Sequence, residues 1–174
     1  MVKRWIISDN HFSHANIITY TNRPFKDVEE MDNVMLENWN KTVGKNDLVY
    51  FLGDLTFDIK KIVPKLNGKK IFIKGNHDFR KKLNPYGVIF NEFYVPINNE
   101  LVLMIHDPGN IPKKWEGWVI HGHVHNHFPE EFPKINRKLK RINVCVEYWN
   151  YTPIDFKEIE KIITSKLKEV KENE

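Results

Sequence analysis

The feature that most constrains this chain is a repeated ending. Five short apolar runs each stop at a cluster of Asp, Asn or His. Trp5-Ile6-Ile7 runs into Asp9-Asn10-His11, Leu48 to Leu52 into Gly53-Asp54, and Ile71 to Ile73 into Gly75-Asn76-His77-Asp78. Leu101 to Ile105 stops at His106, and Trp118 to Ile120 at His121-Gly122-His123-Val124-His125. Short apolar runs rich in β-branched and aromatic residues read as buried strands. In layered α/β folds, functional side chains gather at the carboxyl ends of strands, where loops converge over a rigid sheet. Five such endings predict one shared site.

The intervening sequence supplies the rest of an α/β domain. Val28, Met31, Val34, Met35, Trp39 and Val43 recur near a helical period, with Asp27 as the N-cap and Gly44 as the stop. Ile59 to Leu66 reads as a short helix. Val88 to Ile97 and Leu101 to Ile105 flank Asn98-Asn99-Glu100 as a hairpin, and Ile142 to Val146 reads as a further strand. A closing helix is expected from Asp155 to about Val170, followed by a frayed Lys171 to Glu174. With 174 residues, 41% of them hydrophobic, the expectation is one domain spanning residues 1–174. There is no signal-like opening segment and no apolar run near the roughly 20 residues of a membrane span, so a cytoplasmic protein with no membrane contact is expected. The single cysteine, Cys145, cannot form an internal disulfide, which agrees with a reducing compartment. A net charge of +4 permits an anionic substrate without arguing for one.

Of eight histidines, seven lie beside Asp, Asn, Gly or another His, which points to metal or proton chemistry. Asp9 and His11 are two apart, as are His123 and His125, so each pair can share one face of an extended segment. Gly53, Gly75 and Gly122 precede Asp54, Asn76 and His123, where a glycine permits a sharp turn or close backbone approach. The candidate metal ligands are Asp9, His11, Asp54, Asn76, His106, His123 and His125. One ion cannot use seven donors. Two ions about 3.5–4 Å apart can, if one carboxylate bridges them.

Taken in order, Asp9-Asn10-His11, Gly53-Asp54, Gly75-Asn76-His77-Asp78, His106 and Gly122-His123-Val124-His125 resemble the motifs of the calcineurin-like metallophosphoesterases. Phe12-Ser13-His14-Ala15-Asn16-Ile17 and Asn22-Arg23-Pro24-Phe25 resemble a compact bacterial, archaeal and phage branch of that family. The resemblance implies a four-layer α/β sandwich, two facing mixed β-sheets flanked by α-helices. It implies two divalent ions, Mn first and Fe, Zn, Ni or Co as alternatives. One would be held by Asp9, His11, Asp54 and His125, and the other by Asp54, Asn76, His106 and His123. The implied reaction is in-line attack on a phosphate ester by a metal-bridging hydroxide. His77 would contact a phosphate oxygen or protonate the leaving oxygen, with Asp78 orienting it. His106-Asp107-Pro108 departs from the short polar stretch of many relatives, which bears on loop shape rather than on ligation.

The resemblance further implies a small nucleotide or other phosphodiester as substrate, the habit of many compact relatives, in keeping with the apparent lack of a monoester-enclosing cap domain in 174 residues. The alternatives are a phosphomonoesterase acting on nucleotides or phosphoproteins, a nuclease, and a catalytically silent metal-binding scaffold. His14 and Arg23 are candidate substrate contacts, from their nearness to the first motif and arginine's fit to phosphate. His121 is expected to be structural and His127 to lie on a solvent loop. Trp115, Trp118, Tyr148, Trp149 and Tyr151 are expected to pack, although such rings can stack on nucleobases. The runs Arg80-Lys81-Lys82 and Arg137 to Arg141 are expected on solvated faces, from which they could steer a polyanion. No sequence pattern bears on oligomeric state, and nucleic acid is permitted as a partner but not indicated.

Overall fold

The computed structural model describes residues 2–165. Strands β1 (Arg4–Ile7), β2 (Leu48–Phe51), β3 (Lys69–Ile73) and β4 (Gly87–Phe90) run parallel. The short β10 (Ile154–Asp155) closes this sheet antiparallel to β1, giving the order β10-β1-β2-β3-β4. The second sheet contains β5 (Glu92–Ile97), β6 (Glu100–Ile105), β7 (Val119–His121), β8 (Ile135–Asn136) and β9 (Arg141–Asn143), in the order β5-β6-β7-β9-β8. In it β6, β7 and β9 are parallel, with an antiparallel strand at each edge.

Strand alternation divides the interior in two. Trp5, Ile7, Val49, Phe51 and Phe72 face helices α1 (Asn16–Tyr20), α2 (Val28–Thr42), α3 (Ile59–Ile62) and α4 (Arg80–Leu83), packing on Ile17, Met31, Met35, Trp39, Ile62 and Leu83. Ile6, Tyr50, Leu52 and Ile73 point the other way and meet Val102, Met104, Ile120, Ile142 and Val144 of the second sheet and its continuation. Helix α5 (Phe156–Thr164) buries Phe156, Ile159 and Ile163 in that same inter-sheet core. The Asp27 carboxylate accepts from Glu30 N and caps α2 as the sequence predicts.

The two facing mixed sheets with their helices form an α/β sandwich, the coarser form of the expected architecture. Leu103, Ile105 and Val119 are covered by Ile111 and Trp115 of a loop. The run Val88 to Ile97 is two strands: β4 finishes the first sheet and β5 opens the second. The hairpin itself stands, and Asn98 and Asn99 both adopt positive φ in its tight turn, as asparagine tolerates. Helix α5 is described only to Thr164, so the expected helix beyond residue 165 and the frayed Lys171 to Glu174 lie outside the described residues. No described helix is long and apolar enough to cross a membrane.

Candidate metal centre

All seven candidate ligands converge. Asp9 and His11 follow β1, Asp54 follows β2 and Asn76 follows β3, while His106 follows β6 and His123 and His125 follow β7. The site therefore lies where the carboxyl ends of both sheets meet. Gly53 takes φ +95°, and a Cβ there would strike His106 and the Gly75 backbone. Gly122 has no positive φ, but a Cβ would overlap Ser8 Oγ and Asp9 Oδ2. Only glycine lets these loops close together.

Backbone strain falls on the donors themselves. Asp9, His11, Asp54, His123 and His125 all have φ between 49° and 73°. For non-glycine residues this conformation costs roughly 1–2 kcal/mol each. Main-chain bonds hold the turns in place: Asp9 N to Gly53 O at 3.0 Å, His11 N to Asp54 O at 3.0 Å, and Phe12 N to Leu55 O at 2.9 Å.

Hydrogen bonding fixes which atoms face inward. Asp9 Oδ2 accepts from Ser8 Oγ, from His123 N at 2.9 Å and from Cys145 Sγ at 3.2 Å, while Oδ1 is buried with no partner. Nε2 of His11 is likewise buried and unpartnered. These orphans lie 3.8 Å apart, and Asp9 Oδ1 is 3.7 Å from His125 Nε2. Such gaps are too long for hydrogen bonds but near the roughly 3.4 Å edge of a tetrahedron with bonds of about 2.1 Å. His125 Nδ1 lies 3.0 Å from Glu147 Oε1, so Nδ1 carries the proton and Nε2 keeps its lone pair.

On the other side, His106 Nδ1 lies 2.7 Å from the Leu52 carbonyl, which can only accept. His106 Nε2 is thus a lone pair in the neutral ring. It faces Asn76 Oδ1 at 3.0 Å, His123 Nδ1 at 3.3 Å and Asp54 Oδ2 at 3.5 Å. Acceptors aimed at acceptors repel unless a proton or a cation sits among them. Asp54 Oδ2 is common to both groups, 3.6 Å from His11 Nε2 and 3.5 Å from His106 Nε2. Its Oδ1 accepts from His77 N at 2.9 Å.

The titration tendencies report the same field. Burial brings His11 down to about 4, leaving a neutral imidazole. Burial also opposes charging His106, yet the Asp9 and Asp54 carboxylates and the Leu52 carbonyl outweigh it and push the ring up to about 9. Burial works against ionising Asp54, but His106, His11 and the His77 amide together bring it to about 2. The two carboxylates draw positive charge to this spot, and a divalent ion would take the place of the proton. The donor set and its orphaned atoms fit metal ions. Two buried groups, Asp9 with His125 and Cys145, and Asp9 with Asp54 and His106, each have their donor atoms within 4.8 Å of one another.

The remaining predicted residues divide. The His77 ring is half exposed, with Nε2 4.0 Å from Asp54 Oδ2, and it lines an open cavity of about 270 Å³ together with His14, Tyr20 and His127. Asp78 does not orient that ring. Its buried carboxylate accepts from Asp54 N at 2.9 Å, Gly75 N at 3.0 Å and Leu55 N at 3.3 Å, tying the β2 loop to the β3 loop. Arg23 is not a substrate contact either. Its guanidinium is completely buried and bonds to Asp9 O at 2.8 Å, Asn10 O at 2.7 Å and Glu147 Oε1 at 2.7 Å. It holds the first ligand loop, and through Glu147 it holds His125. Burial disfavours the Glu147 charge, yet His125 and Arg23 bring this carboxyl down to about 2.

Sequence reasoning missed Glu147, which lies beyond the last motif. His127 is exposed on a loop, as expected, at the edge of the cavity. His121 is buried with Nδ1 3.0 Å from Gly122 O, as expected of a structural residue. Substitution Glu147→Gln keeps an acceptor for His125 but removes the charge. It is expected to lower divalent-metal affinity about 10–100-fold in calorimetric titration of metal-stripped protein. Unchanged affinity would remove Glu147 from the support of the site.

Together, fold and site define an α/β protein with a buried, metal-competent Asp/His cluster between two sheets. The uncharacterized protein MJ1445 of Methanocaldococcus jannaschii is 43% identical over 170 residues, covering 94% of this chain and 92% of its own. The chain belongs to the same family as that protein. The crystal structure of a protein of unknown function, AQ665 from Aquifex aeolicus, is 30% identical and superposes with a TM-score of 0.73 over 94% of this chain and all of its own. The Gene 66 protein of Mycobacterium phage L5 is 33% identical over 91 residues, covering 48% of this chain and 44% of its own. A structure described as a novel archaeal phosphodiesterase is 19% identical, with a TM-score of 0.44 over 83% of this chain and 82% of its own. No family model matches the sequence.

Proposed function

We propose that the chain is a two-metal phosphodiesterase of the calcineurin-like metallophosphoesterase type, acting on a small nucleotide or another phosphodiester. One observation carries the reading. Asp54 Oδ2 stands between two sets of inward-facing donors, within 3.6 Å of a histidine nitrogen on each side. Asp9, His11, Asp54 and His125 would hold one divalent ion, and Asp54, Asn76, His106 and His123 the other. The mixed O/N donor set suits Mn, with Fe, Zn, Ni and Co accepted by the same chemistry. When bound, such ions supply Lewis acidity, withdrawing charge from phosphoryl oxygens and lowering the pKa of water.

The protein's own groups do the rest. Asp9 has one oxygen saturated by three donors, so only Oδ1 is offered to the site. Glu147 keeps the His125 proton on Nδ1. His77, at the cavity wall and free to turn toward a bound ester, carries the proton delivered to the leaving oxygen. The cavity is open, which accommodates the second ester arm of a diester.

The test is hydrolysis of bis-p-nitrophenyl phosphate beside p-nitrophenyl phosphate, using metal-stripped protein titrated with Mn²⁺, Zn²⁺, Ni²⁺ and Mg²⁺. Diester turnover is expected only after a transition metal is restored. Dominant monoester turnover would make the protein a phosphatase, and no turnover with two ions bound would make it a scaffold.

A further inference from the structure

Beside the metal centre runs a second cleft, of about 540 Å³, whose wall includes Phe57, Lys60, Lys81, Lys82 and Tyr86. Its volume falls within the roughly 300–1,000 Å³ of small-ligand sites. Phe57 forms the partition. Its ring centroid is 4.6 Å from that of His14, 5.7 Å from His77 and 6.4 Å from His11, yet the residue remains 52% exposed. An aromatic ring left this exposed beside a polar site forgoes the burial that such residues normally reach.

The charge around it is one-sided. Lys60 comes from α3, and Lys81 and Lys82 from α4. Among the described residues none of the three is paired with a carboxylate; the lysine and arginine ion pairs are Arg4 with Glu160, Arg23 with Glu147 and Lys41 with Glu37. The one acid in the cleft wall, Asp58, is engaged in capping α3, accepting from Lys61 N at 3.1 Å. Lys82 Nζ lies 4.8 Å from the Phe79 ring, adding a second exposed aromatic, 62% accessible, to the same rim. Tyr20, whose ring centroid is 6.2 Å from that of His14, is 61% exposed. The tryptophans and Tyr148 and Tyr151 do not compete for this role, since each is largely packed away.

We infer that this cleft is a subsite for single-stranded nucleic acid, with a base stacked on Phe57 and the following phosphates running past Lys60, Lys81 and Lys82. A flat apolar ring next to unpaired lysines is the combination that binds a strand without reading its sequence. A purely acidic peptide would use the lysines but leave Phe57 without a partner. The inference rests on the phosphodiesterase reading for the fate of the strand, though not for its binding. If that reading holds, one water adds across a P–O bond of a diester seated at the metal centre. The products are one phosphate-ended and one hydroxyl-ended fragment.

The experiment is fluorescence anisotropy with labelled, phosphorothioate-linked dT12 and its RNA counterpart rU12 across a salt series, run beside turnover of bis-p-nitrophenyl phosphate. Wild-type protein should bind at least one of the two strands, and which of them it prefers separates DNA from RNA as the source. Lys60→Ala/Lys81→Ala/Lys82→Ala is expected to reduce the slope of log affinity against log salt by about 2, at roughly 0.7 per lost phosphate contact. Phe57→Ala should weaken binding at least about fivefold with little change in slope. In both variants the loss of turnover on the unmodified, phosphodiester-linked strand should exceed that on the small diester. No strand binding by wild type, an unchanged slope in the triple variant, or equal competition by polyglutamate of matched charge would overturn the subsite. Strand binding without any diester turnover would keep the subsite and overturn the phosphodiesterase reading instead.

Discussion

Asp54→Asn is expected to lose both metal ions together and to lose diester turnover by more than the roughly 10⁴-fold upper range of a single acid–base group. The argument is geometric. Asp54 Oδ2 lies 3.6 Å from His11 Nε2 and 3.5 Å from His106 Nε2, the shortest carboxylate approach to both rings among the described residues. Neutralising it weakens two sites at once, whereas His11→Ala or His123→Ala should empty mainly one. Asparagine keeps an oxygen for the His77 amide and leaves the Asp78 contacts to the loop backbone intact, so the loop stays folded. Metal content after dialysis is the decisive readout. A variant that retains two ions per chain would show that Asp54 does not bridge.

His77→Ala should do the opposite, keeping both ions while cutting turnover about 10²–10⁴-fold. The contact from residue 77 to Asp54 that matters for the metal site is made by the main-chain amide at 2.9 Å, which survives the substitution. The half-exposed imidazole is what disappears. If it delivers a proton to the leaving oxygen, the loss should be steep for alkyl esters and slight for p-nitrophenyl esters, whose leaving group needs no proton. A uniform loss across leaving groups would assign His77 to charge stabilisation instead.

Much of this was legible in the chain because its grammar is local. An apolar run followed by Asp or His states that a strand ends in a donor, and each of the five endings does lead into the site. Roles that depend on through-space pairing were not legible. Arg23 looked like a phosphate contact because arginine suits phosphate, yet its partner Glu147 lies 124 residues away and claims it. Asp78 looked like the partner of its neighbour His77, yet it binds backbone amides of a different loop. The cover over the second sheet has the same origin. Nothing periodic marks a loop that covers a sheet with Ile111 and Trp115, because such a cover needs only two well-placed apolar side chains. Nor did the sequence reveal that the donors themselves would carry the left-handed turns, since Gly53, Gly75 and Gly122 invite that assignment to themselves.

The donors are divided between the sheets, four following strands of the first and three following strands of the second. One residue's advance along a strand is about 3.3 Å, more than a whole metal–ligand bond. A slip of one sheet over the other by even a fraction of that would pull His106, His123 and His125 out of register with Asp54. What fixes the alignment is remote from the chemistry: Ile6, Leu52 and Ile73 interlocked with Met104, Ile120 and Ile142. Conservative changes among these apolar residues, Ile120→Val for instance, should therefore shift metal selectivity alongside a stability loss of only about 0.5–1.5 kcal/mol, making the apolar interior a calibration scale for the donor cluster above it.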